Sequence, residues 1–416
     1  MKKLLRYPLL LIFVLFIFGV SIADVFATGK AYSETENRAL KQRPAFSLPA
    51  LVKNEYTKNY ETFVCDQFVA RDSWISLKSL AEKALGKQEN NGVAFGADGY
   101  LIPRLYPEAL VETRDSGTGF GGDGSQNADL ETVSSAQIGR NIEFIRRFAE
   151  SYDGQVSLAL IPNAYEILPE VLPAGFVNEP QADRIRQINA ALYEEAGVLP
   201  FDAYAPLLQS AQERQTFYRT DHHWTTDGAW AFYAAWAQSR GLDYAGPDEL
   251  APYRREEQNF LGTSYSKAKN FDVVPDTLVW YDIPVADVTI NGEHTVTDSL
   301  GQTLEVTGLY QREKFATRDK YAAFLYGNNG LTVIKSAVRG EPAGEKPSRL
   351  LLIKDSYGNC LAPFLTFSYD EVWVVDLRAL PIKMSELTAQ TAFDDVLILY
   401  NFTSFGQDKD LARLPL

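Results

Sequence analysis

The chain has 416 residues, 46% of them apolar and 23% charged, with a formal net charge of −14. This length accommodates two or three domains and a sizeable core, and the composition is that of a globular protein. The acidic balance argues against nucleic acid as a partner, and two cysteines, Cys65 and Cys360, make neither a disulfide framework nor a metal cluster; two buried thiols are expected.

At the N-terminus, Lys2, Lys3 and Arg6 precede a charge-free run from Pro8 to Ala23. This is the pattern of an export signal, and it falls short of the ~20 residues of a comfortable membrane span. Val25-Phe26-Ala27 offers small residues for cleavage. Residues 1–27 are read as a membrane anchor, with a secreted, signal-cleaved form as the alternative. Either way the body is placed outside the cytoplasm, because a basic flank stays inside.

Residues 28–48 read as polar and extended. Over 49–87, Tyr56, Tyr60, Phe63, Phe68, Trp74, Leu77, Leu80 and Ala84 recur at helical spacing. Asn90 to Ile102 reads as two short strands turned at Asp98-Gly99. Residues 28–110 are thus expected to form a helical and hairpin extension. Residues 111–131 are expected to be a flexible loop rich in Gly, Ser and Asp; no P-loop lysine follows its glycines.

From residue 132 helices and strands alternate. Ile138, Ile142, Ile145 and Phe148 make one helical face, residues 155–161 a strand ending at Pro162-Asn163, residues 181–196 a helix and Val198–Phe201 a strand. Thr225 or Thr226 caps a helix carrying Trp230, Tyr233, Ala234 and Ala237 and stopped by Gly241. Residues 245–348 break the alternation. Val285–Ile290 and Glu293–Thr297 flank Asn291-Gly292, a hairpin signal, and Tyr321–Tyr326 and Leu331–Lys335 flank Gly327 to Gly330. A mainly β insertion is expected there. Strands then return at Arg349–Lys354, Glu371–Val375 and Asp395–Tyr400, with the near-continuous apolar runs of buried parallel strands. The fold class is α/β: residues 132–244 and 349–416 form one doubly wound, mostly parallel sheet with its site at the carboxyl ends of the strands.

Chemistry concentrates in Arg219 to Gly228. Two of the three histidines, His222 and His223, lie between Asp221 and Trp224. In an extended segment Asp221 and His223 share a face and His222 points the other way. A carboxylate beside an imidazole is the orienting half of a Ser-His-Asp arrangement. The candidate nucleophile is Ser356, which follows the strand Arg349–Lys354 and precedes a helix expected at Gly358–Phe367. That is nucleophile-elbow mechanics without the Gly-x-Ser-x-Gly sequence, and amides at the helix start would hold an oxyanion. The competing reading is that Ser356 merely caps the helix. Asn401 and Asn328 are further oxyanion candidates, with turn chemistry as their alternative. Trp224 either packs in the core or meets a sugar face. Metal ligation by Asp221, His222, His223 and Asp227 is disfavoured, because adjacent histidines diverge and nothing completes a closed site; neither metal nor cofactor is expected.

Asp221-His222-His223-Trp224-Thr225, followed by Asp227-Gly228-Ala229, resembles the name-giving motif of the bacterial DHHW family. Ser33 to Arg38, Phe68 to Asp72, Asn91-Gly92-Val93, Asp98 to Leu101, Lys320-Tyr321, Lys354 to Tyr357 and Asp376-Leu377-Arg378 resemble it too. That family looks like a relative of the SGNH-hydrolase-like alginate O-acetyltransferases, which carry Asp-x-His and a downstream Gly-Asp-Ser. The resemblance implies Asp221, His223 and Ser356 as the catalytic set, with Tyr357 and Arg378 as substrate-side candidates. Lys354 stands where those enzymes have glycine. The function implied is that of an extracytoplasmic, membrane-anchored serine O-acetyltransferase or esterase acting on a cell-envelope polysaccharide. Its partners would be that glycan, an acyl donor supplied by a membrane O-acyltransferase, and the membrane itself through the N-terminal segment. The alternative is an inactive envelope or carbohydrate-binding scaffold of the same fold.

Overall fold

Apolar runs decide where the sheet lies. In the computed structural model, which describes residues 7–108, 131–270, 273–298, 301–340 and 346–415, seven strands form one mixed sheet. In chain order they are β1 (Val156–Ile161), β2 (Leu199–Pro200), β3 (Val285–Ile290), β4 (Leu331–Ser336), β5 (Arg349–Lys354), β6 (Glu371–Val375) and β7 (Asp395–Asn401). In space the order is β3-β4-β6-β5-β7-β1-β2. β6, β5, β7, β1 and β2 run parallel. β4 is antiparallel to both β6 and β3. Every residue of β1, and all but the first of β5 and β7, is buried, as the uninterrupted apolar runs require for strands covered on both faces.

The helices that matter for the site are α1 (Ser135–Ser151), α2 (Ala182–Ala196), α3 (Thr226–Ser239), α4 (Thr263–Ala268), α5 (Gly358–Leu365) and α6 (Phe402–Gln407). α1 packs on α2 and α6, and α3 packs on α5. Thr225 caps α3, its Oγ1 accepting from Gly228 N at 3.1 Å. The strands expected at 155–161 and 349–354 lie in the same sheet, as the alternation required.

The segment 245–348 departs from the expected insertion. Two of its strands, β3 and β4, extend the main sheet instead of forming a separate body. Asn291-Gly292 does turn the chain, both residues at positive φ, but β3 pairs with β4 and not with the strand that follows the turn. Val288, Ile290 and Ile334 bring buried apolar side chains to that pairing, whereas Thr295–Thr297 has none and pairs with Thr303–Glu305. Lys320–Ala323 is a short helical turn, not a strand, and Leu325 and Tyr326 beyond it have positive φ.

The described residues up to Lys87, with Lys269 and Asn270, form a compact unit of their own; the remainder forms the second. The short strands at Val93–Phe95 and Leu101–Pro103 therefore belong with the sheet, not with the N-terminal extension. Leu101 N donates to Arg219 O at 2.7 Å, and the Asn90 and Asn91 amides donate to Ala268 O and Lys267 O, each at 2.9 Å.

In the N-terminal unit, Pro8–Phe26 is one exposed 19-residue helix, long and apolar enough to cross a membrane by length and composition. It is longer than the charge-free run, because it continues through Asp24. Its basic flank, and nearly all of the 111–131 loop, lie outside the described residues. The expected helical stretch 49–87 is three helices, Leu48–Val52, Glu55–Gln67 and Arg71–Ala84, broken where Asn54 and Ala70 take positive φ that no right-handed helix accommodates. The Ser33–Arg38 and Phe68–Asp72 stretches meet here. Arg71 grips Glu36 at 2.9 and 3.0 Å, Lys269 reaches Glu36 at 2.5 Å, and Arg38 bridges Glu36 at 2.7 Å to Asp66 at 2.6 Å.

Cys65 is exposed and Cys360 buried, both as free thiols, so the expectation of two buried thiols holds for Cys360 alone.

Candidate active site

Residues 216–225 form a tight loop closed by the Phe217–Trp224 bridge and by Thr225 N donating to Thr216 O at 2.8 Å. Its tip carries Thr220, Asp221 and His222. Asp276 holds that tip: one carboxylate oxygen accepts from Arg219 N (3.0 Å) and the other from Thr220 N (2.8 Å) and the Thr220 hydroxyl (2.7 Å). Gly262 approaches so closely that a Cβ there would lie 2.1 Å from that of Asp221.

Asp221 is buried and uses both oxygens. Oδ1 accepts from His223 N at 2.9 Å and meets His223 Nδ1 at 2.5 Å; Oδ2 accepts from Thr263 N at 2.7 Å and the Thr263 hydroxyl at 3.0 Å. Burial opposes its charge, but the imidazoles of His223 and His222 and the Thr263 amide outweigh it and hold the carboxyl well below its usual range. The other ring nitrogen of His223, Nε2, lies 2.7 Å from Ser356 Oγ. Tyr321 stacks on the His223 ring, centroids 4.0 Å apart and planes 13° apart, and donates its hydroxyl to Ser356 O at 3.0 Å.

Ser356 sits between β5 and α5, half-buried. Its hydroxyl does not cap α5, which has no side-chain cap; its partner is His223. The corner is shaped by Asp355, whose carboxylate accepts from Tyr357 N and from Asn401 N, each at 2.9 Å, tying the ends of β5 and β7 together. Burial pushes the Asp355 carboxyl up. Tyr357, Gly358 and Asn359 donate their amides to Asp355 Oδ1, Asp355 O and Ser356 O. The helix-start amides expected to face an oxyanion are therefore engaged. Among the described residues, the Ser356 amide is the corner N–H left without an acceptor.

The remaining sequence candidates divide. Asn401 lines the cavity beside the site, but its amide nitrogen donates to Ile161 O (3.0 Å) and Asn163 Oδ1 (2.8 Å), leaving no free donor. Asn328 presents its carbonyl oxygen to Lys354 Nζ (3.2 Å) and Asn359 Nδ2 (3.0 Å), so it acts as an acceptor under α5. Trp224 is 0% exposed and donates to Tyr357 O at 3.0 Å; it packs and cannot meet a sugar face. Tyr357 walls the cavity and donates its hydroxyl to His222 O. Arg378 is bound by both oxygens of Asp376. Lys354, where a glycine was the family expectation, runs its stem against Gly358 and its amine to Asp376 at 3.1 Å, both members of that pair about 1% exposed. Burial pushes the Lys354 amine down, against the pull of Asp376.

His222 does not point away. The turn at the loop tip brings its ring to 3.9 Å from that of His223, centroid to centroid, and its Nδ1 to 2.6 Å from Thr263 Oγ1. Desolvation in the cavity wall pushes it down to about 4, with His223 adding and Asp221 opposing; its side chain keeps 41% of its surface, so water blunts the burial. One ligand atom each from Asp221, His222 and His223 lies within 4.8 Å of the others, so the histidines converge where divergence was expected. Both ring nitrogens of His223 are already bonded, so a cation there would have to displace Asp221 or Ser356. Burial also pushes the Cys360 thiol up to about 12, which keeps it from competing as a nucleophile. Sequence reasoning passed over Asp276, Gly262, Thr263 and Asn163 as site residues. Tyr321 was noticed only as part of a motif. Nothing local marks the other four, and the roles of all five arise from packing.

A mixed α/β sheet whose carboxyl edge sets a carboxylate, an imidazole and a serine hydroxyl in hydrogen-bonded series defines the class. Residues 184–375 match the DHHW protein family, which bears out the resemblance read from Asp221 to Ala229. A DHHW family protein from Eubacterium siraeum DSM 15702 superposes with a TM-score of 0.55 at 22% identity, over 78% of this chain and 95% of that one. Bacillus cereus PatB1 superposes at 0.51 and 20% identity, over 68% and 94%, and at 0.50 in a structure with a sulfonyl adduct. These likenesses show the fold. The probable alginate O-acetylase AlgJ of Pseudomonas syringae pv. tomato is 27% identical over 222 residues, 51% of this chain and 52% of that protein. The chain thus spans about half the length of that curated relative.

Proposed function

We propose that this chain is an SGNH-like serine O-acyltransferase, or an esterase, that acts outside the cytoplasm on a cell-envelope polysaccharide and is held at the membrane by Pro8–Phe26. The observation that carries the reading is the series Asp221–His223–Ser356, with contacts of 2.5 and 2.7 Å. His223 Nε2 takes the Ser356 proton as Oγ attacks an acyl carbonyl, and Asp221 holds the imidazole tautomer and balances the imidazolium. The Ser356 amide faces the developing oxyanion. The acyl group then passes to a sugar hydroxyl or to water. The likeness to a probable alginate O-acetylase supports acyl transfer, and the sulfonyl adduct on PatB1 supports covalent trapping as the test. The acyl donor would come from a membrane O-acyltransferase.

The test is an aryl sulfonyl fluoride followed by peptide mass spectrometry. One adduct on Ser356 is expected. Ser356→Ala should abolish it, and His223→Ala should slow it by more than about a hundredfold, since such groups act as a unit; Asp221→Asn should slow it less. A folded wild-type protein that takes no adduct supports the inactive-scaffold reading instead.

A further inference from the structure

The motif contains one histidine more than acyl transfer by Ser356 requires, and it borders a cavity. That cavity, of about 310 Å³, is walled by Asn163, Asp221, His222, Ser264, Tyr357 and Asn401, among others. It is at the small end of ligand pockets, which run roughly 300–1,000 Å³, and so suits one sugar ring. Ser264, 2% exposed, has a hydroxyl with no hydrogen-bond partner, a rare condition for a buried polar atom.

The tautomer of His222 follows from its neighbours. Ionised Asp221 only accepts, so the Thr263 hydroxyl spends its proton on Oδ2 at 3.0 Å. Thr263 Oγ1 must then accept from His222 Nδ1 at 2.6 Å, which places the ring proton on Nδ1. In the neutral ring, favoured by the depressed pKa, Nε2 is left as an acceptor. Among the described residues Nε2 has no partner. Asp221 thus orients two imidazoles, His223 directly and His222 through Thr263.

We infer that the cavity receives the acceptor as a neutral polyol ring, with His222 Nε2 accepting from one of its hydroxyls and the unpartnered Ser264 hydroxyl, closed to solvent in this conformation, rotating to meet another. The cation on its wall, Lys267, is paired with Glu131, and Asp221 adds negative charge nearby, so an anionic sugar gains nothing here. The inference rests on the Ser356 acyl-enzyme. The acceptor oxygen attacks the acyl carbonyl and passes its proton to His223 Nε2. The bond from the carbonyl carbon to Ser356 Oγ breaks, and that proton returns to Oγ. His222 positions the acceptor and exchanges no proton.

The experiment uses p-nitrophenyl acetate as acyl donor and glycerol as the smallest polyol acceptor, with glycerate as its charged counterpart. Glycerol should outcompete glycerate. His222→Ala should raise the glycerol concentration for half-maximal transfer about tenfold and Ser264→Ala severalfold, each more than it slows hydrolysis by water. His222→Gln, which keeps an acceptor, should recover part of the loss. If His222→Ala depresses transfer and hydrolysis in parallel, or glycerate wins, the inference is overturned while the serine reading stands. If Ser356 takes no acyl group, the serine reading fails, and ¹⁵N NMR tests the cavity alone. Glycerol perturbing His222 Nε2 in wild type but not in Ser264→Ala upholds the site, and no perturbation overturns it.

Discussion

Asp221 is where side-chain chemistry is most constrained. Its four hydrogen-bonding contacts come from His223 and Thr263, and it has space for none of them to shift, because Gly262 lies against it. Gly262→Ala would drive a methyl into Asp221. Overpacking of this kind costs about 1–3 kcal/mol, and here it should also displace the carboxylate. The expected outcome is a lower Tm together with sulfonylation slowed beyond what the Tm loss explains. A fully reactive Gly262→Ala protein would mean that Asp221 does not orient His223. Because Asp221 is held well below the usual carboxylate range, an acid limb in the labelling rate at ordinary carboxylate pH does not belong to it.

Among the elements, two junctions do most of the positioning. Asp355 ties β5 to β7 and turns the chain so that Ser356 leaves the sheet edge toward His223. In the N-terminal unit, Glu36 joins Arg38, Arg71 and Lys269. Burial opposes the Glu36 charge, but the Arg71 and Lys269 contacts win and lower the group from its ordinary 4.5 to about 2. A depressed carboxylate contributes stability that is fully present above pH 4.5 and lost as pH falls toward 2. With the Glu36 side chain 5% exposed, that contribution is roughly 3 kcal/mol at about 1.4 kcal/mol per unit. Hydrogen exchange over 55–84 should therefore accelerate as pH drops through that window, after correction for intrinsic rates. Arg71→Ala should accelerate it already at neutral pH, by the equivalent of about 1.5–3 kcal/mol for lost bonds to a charged group. Equal protection in wild type and Arg71→Ala would show that the cluster contributes no net stability.

For the whole molecule, the proposed topology puts everything after Phe26 on the outer side of the membrane. The two cysteines report on it, since Cys65 is exposed and Cys360 buried. A membrane-impermeant maleimide added to intact spheroplasts should modify Cys65 without lysis and Cys360 only after denaturation. Protection of Cys65 until the membrane is broken would place the body inside and end the envelope reading.

Legibility divides along the range of the forces involved. Strand limits at Arg349–Lys354 and Glu371–Val375, the Thr225 cap and the placing of Ser356 at a corner were readable, because burial on both faces of a strand, or a local hydrogen bond, leaves its mark within a few consecutive residues. The triad candidates were readable because histidine is scarce and the Asp-x-His spacing is local. The sheet's true extent was not: whether Val285–Ile290 pairs with the strand after its own turn or with Leu331–Ser336 depends on which partner brings apolar side chains, and those lie about forty residues away. The direction of His222 was lost because alternation assumes an extended chain, and Asp276 instead curls the loop tip. The supporting residues Gly262 and Thr263 carry no signature of their own, and the Lys320-Tyr321 motif names no role; each of the three acquires its role by meeting Asp221, His223 or Ser356 across the fold, through contacts that exist only once the chain has packed.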